Sequence, residues 1–262
     1  MCILAYIERH GLPGERLVTA TAGATAADWE GRGVLVTQFI PGRRPDRSPA
    51  TLRRLGELVG RLHALPPVPA DDPFLSRRAS ALPKEDLIFG RSCLARLANR
   101  VPPERRNDYD AIRATLATTH DCEDMPRALI HSDCHLANTL QTSSGDVVLF
   151  DWEGAGQGPR IAALGLLLFS CAFQAPEEAA VPADLARVDA VLDGYRRWQG
   201  LTCAELERLP DAVRLRPTVV AARSLAHGIE QGQPADQTGW WSRYVEADAV
   251  ATRARQRMEH HR

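Results

Sequence analysis

Apolar positions along the chain first keep a helical period, then a strand period, then a helical one to the end. Residues 2–10 read as the end of a helix, closed by Gly11 and Pro13. Leu17-Val18-Thr19-Ala20-Thr21 and Val34-Leu35-Val36-Thr37-Gln38-Phe39 are rich in β-branched residues and predict two strands. Ile40–Arg47, with Pro41, Gly42 and Pro45, is a break. Ser48-Pro49 then opens a helix, because serine caps and proline suits the first helical position. Leu52, Leu55, Val59 and Leu62 follow at helical spacing. A proline-rich loop (Pro66, Pro67, Pro69, Pro73, Pro83) precedes two further helices, within 84–100 and 103–118. A strand is expected near Arg127–His131, and a hairpin where Ser143-Ser144-Gly145-Asp146 turns into Val147-Val148-Leu149-Phe150. From Ile161 the pattern is helical, with breaks near Ala175, Gly200 and Gln231–Gly239. Strands first and helices afterwards is an α+β layout. The break after Ile40 divides a small part, 1–42, from a large one, 43–262.

Composition changes this picture little. The 262 residues carry 32 Lys+Arg against 33 Asp+Glu, a net charge of -1, which argues against electrostatic binding of nucleic acid. The longest later apolar run, Ile161–Phe169, is too short to span a bilayer. The apolar start stops at Glu8 and lacks the basic flank of a signal peptide. Six scattered cysteines with no C-x-x-C pair fit reduced thiols, so a cytoplasmic protein is expected. One count does matter: Lys84 is the single lysine. Any mechanism that needs a lysine elsewhere is closed to these residues.

The chemistry concentrates in Ala128–Arg160. His131-Ser132-Asp133-Cys134-His135-Leu136-Ala137-Asn138 is followed, thirteen residues after Asn138, by Asp151 at the end of the expected hairpin. A loop aspartate, an asparagine five positions later and an aspartate after a hairpin suit phosphoryl transfer. That reaction needs a carboxylate to orient the attacking hydroxyl and hard oxygen ligands for magnesium. An isolated H-x-D is more often a polar turn, but the three elements in this order are not. A different chemistry would use His131, Asp133 and His135 as a metal-hydrolase cluster, although a third ligand motif is missing. His63 on an apolar helix face reads as a structural histidine. Trp240, Trp241 and Tyr244 read as a packed helix face, and Cys134 as a small loop residue.

His131-x-Asp133-x-x-x-x-Asn138 has the spacing of the kinase catalytic loop. With Leu129-Ile130 before it and Asp151-Trp152-Glu153-Gly154 after it, the stretch resembles the aminoglycoside phosphotransferase / choline kinase family. Val34–Gly42 resembles that family's strand and hinge, and Leu58–Pro66 the helix after it. The resemblance implies a protein-kinase-like two-lobed fold, with a truncated small β lobe and a mainly helical C-terminal lobe. It implies transfer of a phosphoryl group from ATP, or another nucleoside triphosphate, to the hydroxyl of a small molecule. Asp133 would be catalytic and His131 a brace of the loop. Asn138 and Asp151 would hold Mg2+, with Glu153 a further candidate ligand. The backbone of Gln38, Phe39 and Ile40 would bind adenine.

Two departures accompany the resemblance. The family's glycine-rich loop and strand lysine precede the hinge, and neither has a counterpart here. Arg9, Arg16 and Arg32 are the only arginines that could lend a charge in the lysine's place. The family's aspartate at the start of the next helix, a buttress of the catalytic loop, is replaced by Ala163. These departures keep a second expectation alongside the enzyme: a catalytically weak, kinase-like protein that binds or sequesters its ligand. No substrate is readable, though Glu177, Glu178, Asp184, Asp189 and Asp193 could greet a cationic one if they are not simply a solvated face.

Overall fold

The computed structural model describes residues 3–19, 23–24, 26–68, 71–73, 75–80, 82–173, 182–233 and 240–259. Helix α1 (Ile3–Arg9) ends at Gly11, whose φ is +66°. Strands β1 (Ala27–Trp29) and β2 (Arg32–Val34) form a hairpin about Glu30 and Gly31, both at positive φ. The β-branched runs expected as two strands are thus only partly strand. The Val18 N–H donates to the Val36 carbonyl and the Gln38 N–H to the Arg16 carbonyl, around a single Leu17–Thr37 bridge. Ala20 and Thr21 lie outside the described residues.

Ser48 caps α2 (Pro49–His63), its hydroxyl accepting from the Thr51 N–H at 3.3 Å. Helices α3 (Pro83–Ala95) and α4 (Arg106–Thr118) follow, the latter entered by a 3-10 turn at Pro103–Arg105. Strand β3 (Arg127–Ile130) pairs antiparallel with β6 (Gly156–Pro159), and β4 (Thr139–Gln141) with β5 (Val147–Leu149). The sequence pattern missed β6, because Gly-Gln-Gly-Pro has neither alternation nor β-branched residues; Gly156 fits where a Cβ would lie 2.6 Å from the Ala79 nitrogen. Helices α5 (Arg160–Ala172), α6 (Leu185–Tyr195), α7 (Cys203–Glu230) and α8 (Trp240–Glu259) complete the chain. The expected break near Ala175 lies in residues 174–181, outside those described. No helix among the described residues is long and apolar enough to cross a membrane.

The core forms around α5, whose Ile161, Leu164, Leu167 and Leu168 are fully buried between α2, α6, α7 and the segment that joins β3 to β4. A second apolar cluster joins α3, α4 and α7, with Tyr244 of α8 at its edge and hydrogen-bonded to Thr115 at 3.0 Å. Helices α2 and α6 cross at backbone contact: a Cβ on Gly56 would lie 2.0 Å from the Val191 carbonyl oxygen, and one on Gly194 1.9 Å from that of Arg53. The crossing carries His63, buried with its Nδ1 3.1 Å from the Tyr195 hydroxyl. The α5 start is fixed to the α7 start by Arg160, which grips the fully buried Glu205 carboxylate at 2.6 and 2.7 Å.

The segment after the hinge does not hang free. Arg43 and Gln141 exchange backbone hydrogen bonds at 3.0 and 2.8 Å, so the chain joins the β4–β5 hairpin before entering α2.

Candidate active site

The loop between β3 and β4 is organised by its own histidines. His131 is buried; its Nε2 donates to the Phe150 carbonyl at 2.9 Å, and its ring meets the Trp152 indole edge-on at 4.9 Å. Burial holds its imidazole below the usual histidine range. His135 caps a 3-10 turn, Leu136–Asn138, accepting the Ala137 N–H on Nδ1 at 3.1 Å. Its proton therefore sits on Nε2, which points at the Asp133 carboxylate from 3.1 Å. Asn138, also buried, donates from Nδ2 to the same carboxylate oxygen and to the Asp133 carbonyl, both at 3.0 Å. The His135 hydrogen bond, with help from Asn138 and the more distant Arg216 charge, holds the Asp133 carboxyl below its ordinary value. Asp133 is thus a fixed, ionised carboxylate with its other oxygen left for a hydroxyl.

The β4–β5 hairpin then closes on itself. The Phe150 N–H donates to the Asn138 carbonyl at 3.1 Å, which puts Asp151 one residue beyond Asn138 across the ladder. Asp151 has φ +66°, is exposed, and its N–H donates to Glu15 at 3.0 Å. The second Glu15 oxygen accepts the Thr37 hydroxyl at 3.3 Å, so one carboxylate links the hinge strand to the Asp151 turn. Gly154 lets this turn pass the loop that carries Asp133, since a Cβ there would lie 2.3 Å from the Ser132 hydroxyl. Glu153 is exposed, its carbonyl held by Arg77 at 2.6 Å. With Nδ2 of Asn138 committed, the amide oxygen and the Asp151 carboxylate are the hard donors fit for a divalent cation.

At the hinge, Gln38 spends its N–H on the Arg16 carbonyl at 2.8 Å. Among the described residues, no backbone hydrogen bond occupies Phe39 or Ile40. Phe39 is 89% exposed. The hydrolase grouping does not assemble: His131 turns to Phe150, away from the Asp133–His135 pair, and no group of three His, Cys, Asp or Glu among the described residues is arranged to hold a metal. Cys134 is buried and its thiol is pushed up by that burial, which makes it inert.

Lys84 is exposed at the start of α3, on the helical side. Arg16 folds back onto the Leu12 and Gly14 carbonyls at 2.8 and 3.2 Å. Ala163 is buried beside a cavity of about 20 Å³ that Asp86 and Arg216 also line, so a carboxylate from α3 stands near the place of the family's aspartate. Of the acidic residues considered for a cationic substrate, Asp184 caps α6, and Asp189 and Asp193 bind Arg253 and Arg257 at 2.5 and 2.8 Å. Glu177 and Glu178 lie outside the described residues, as do the side chains of Trp240 and Trp241. Sequence reasoning missed Glu15 and Arg216 in the site. Single charged residues far from the motif carry no spacing signal.

Residues 3–201 match the phosphotransferase enzyme family. The chain belongs to that family. An uncharacterized protein of Deinococcus radiodurans is 28% identical over 213 residues, which are 78% of this chain and 59% of that protein. The chain thus spans about three fifths of this relative's length. Among solved structures, an aminoglycoside phosphotransferase from Alicyclobacillus acidocaldarius superposes with a TM-score of 0.68 at 16% identity, over 98% of this chain and 81% of that one. An amicoumacin kinase in complex with AMP-PNP, Ca2+ and its antibiotic gives 0.58 at 19% identity, over 98% and 75%. The fold is the kinase-like one, with a small sheet and a helical C-terminal part.

Proposed function

We propose that this member of the phosphotransferase family transfers the γ-phosphoryl group of ATP to a hydroxyl of a small molecule. The observation that carries the reading is the Asp133 carboxylate, held ionised by His135 and Asn138, with Asp151 brought beside Asn138 by the hairpin. A carboxylate with a lowered pKa is a poor early base. It suits a loose transition state, in which the acceptor hydroxyl is oriented first and its proton leaves late. The Asn138 amide oxygen and Asp151 would hold Mg2+, with Glu153 as a further candidate, and the backbone of Phe39 and Ile40 would receive adenine. Bound Mg-ATP would supply the transferable phosphoryl group and the charge that offsets its oxygens. The amicoumacin kinase bound to a nucleotide analogue and Ca2+ supports nucleotide and divalent metal use.

A second reading, a kinase-like protein that binds or sequesters its ligand, is favoured by one observation. Arg16, one of the arginines that could lend a charge to the phosphates, is engaged by the Leu12 and Gly14 carbonyls. Because phosphoryl transfer depends on positioning, turnover should suffer more than adenine binding. Steady-state ATP turnover over a panel of hydroxylated metabolites, with Asp133→Ala as the blank, separates the two. Acceptor-dependent turnover lost in Asp133→Ala supports the enzyme. Nucleotide binding without turnover supports the second reading.

A further inference from the structure

The segment ahead of α3 closes over the turn that follows Asp151. It takes three consecutive carbonyls of that turn. Arg77 donates from Nη2 to Glu153 at 2.6 Å and from Nε to Ala155 at 3.0 Å, and the Ser80 N–H donates to Gly154 at 2.9 Å. The Gln157 N–H donates to the Arg77 carbonyl at 2.7 Å and the Ala79 N–H to the Gln157 carbonyl at 3.1 Å, so residues 77–79 add to the edge of β6 that β3 leaves open. The Ser80 hydroxyl lies 3.4 Å from that of Ser132, the residue before Asp133. Residues 75–80 thus touch both the turn after Asp151 and the loop that carries Asp133. They are themselves anchored. Leu75 is fully buried in the main core, Ala79 clusters with Leu82, Ile130 and Ala163, and Arg78 pairs with Glu123 and Glu85 at 3.3 and 3.5 Å.

Asp151 stands in the left-handed region, which an aspartate keeps only where its surroundings fix it. Glu15 fixes its N–H, and the Ala155 N–H closes the turn on the Trp152 carbonyl at 3.0 Å. Among the described residues, Arg77 and Ser80 supply every hydrogen bond that residues 153–155 accept. The planar fork of Arg77 meets two carbonyls two positions apart, a match that the single ammonium of a lysine does not reproduce. We propose that Arg77 is a positioning residue for the cation-binding carboxylate: residues 75–80 strap the Asp151 turn to the Asp133 loop and set the place of one against the other. This rests on the reading of Asp151 as a ligand of the divalent cation. Loss of the strap weakens the hold on metal-bound phosphates and spares adenine, whose proposed place is the hinge.

The test uses the full 262-residue chain with Arg77→Ala, Arg77→Lys and Asp151→Asn, each held well below its melting temperature. ATP is titrated calorimetrically with Mg2+ and again with EDTA, and amide hydrogen exchange is followed without ligand. Arg77→Ala should lose about tenfold in affinity for Mg-ATP and Arg77→Lys about threefold, while both hold ATP in EDTA within about twofold of the parent. Exchange at the Asp151 and Ala155 amides should quicken in Arg77→Ala, and the amides of α5 should stay protected. General damage to the fold would not separate the two titrations in this way. Should Arg77→Ala not fold, Arg77→Lys carries the comparison. Unchanged Mg-ATP affinity, or equal losses with Mg2+ and with EDTA, overturns the inference. If Asp151→Asn loses the gain from Mg2+ and the Arg77 variants keep it, the cation reading stands and the inference falls. If the parent gains nothing from Mg2+, the cation reading falls; quickened exchange at Asp151 then keeps the strap alone, and unchanged exchange removes that too.

Discussion

Glu15 and Asp151 meet across 136 positions of sequence: the Glu15 carboxylate accepts the Asp151 N–H at 3.0 Å while Asp151 sits in the left-handed region. The same carboxylate holds the Thr37 hydroxyl, so the small lobe grips the turn that carries Asp151. Glu15→Ala should lower stability by about 1 kcal/mol, the usual scale of a lost hydrogen bond that water can replace. It should also weaken Mg-ATP several-fold, while Glu15→Gln, which keeps an acceptor, should stay near the parent in both. Chemical denaturation and nucleotide titration read the two effects separately.

Asp151 itself separates backbone from charge. Asparagine tolerates the left-handed region, alanine does so at a cost of about 1 kcal/mol, and glycine does so freely. Apo stability should therefore be lowest for Asp151→Ala and close to the parent for Asp151→Asn. Millimolar Mg-ATP should raise the Tm of the parent, because ligand binding to the native state raises stability by mass action, and all three variants, Asp151→Gly included, should lose that rise. A full Mg-ATP shift in Asp151→Asn would remove Asp151 as a cation ligand.

His63 predicts a pH dependence. Complete burial, with a smaller push from Arg160, lowers its pKa from 6.5 to about 3. Between those values the unfolded chain binds the extra proton and the folded chain does not. The contribution of neutral His63 is thus complete above the unfolded value and is lost as pH falls toward the folded one, at about 1.4 kcal/mol per pH unit. Thermal melts between about pH 6.5 and 4.5 should show a shallower slope for His63→Gln than for the parent. His131, also lowered by burial, leaves a residual slope of the same sign.

The α2–α6 crossing has no room for a side chain. Gly56→Ala and Gly194→Ala should each destabilise by about 3 kcal/mol, the upper end of overpacking, since the obstructing atoms are backbone. Gly200→Ala, where nothing lies within 4 Å, should be neutral within about 0.5 kcal/mol. Urea unfolding of the three proteins checks this. Equal losses would sever the link between the close approach and stability.

The sequence by itself determined the elements whose cause is local. Ser48-Pro49 fixes the start of α2, Ser143–Asp146 turns the β4–β5 hairpin, and the 3.6-residue period marks the long helices, because capping, turn chemistry and periodicity act over a few residues. The spacing of His131, Asp133, Asn138 and Asp151 was legible for the same reason: one short loop and one hairpin connect them. What required the tertiary structure lies between distant segments. Strand β6 exists because β3 lies opposite it, not because Gly156–Pro159 favours a strand. Phe39 and its β-branched neighbours read as an ordinary strand, yet Phe39 stands exposed, since burial depends on what packs against a strand and not on its pattern. Arg47, Arg216 and Arg243 are 196 positions apart at their extremes and look like any others among the chain's many arginines. Only the folding together of distant segments brings them to one cavity in front of Asp133.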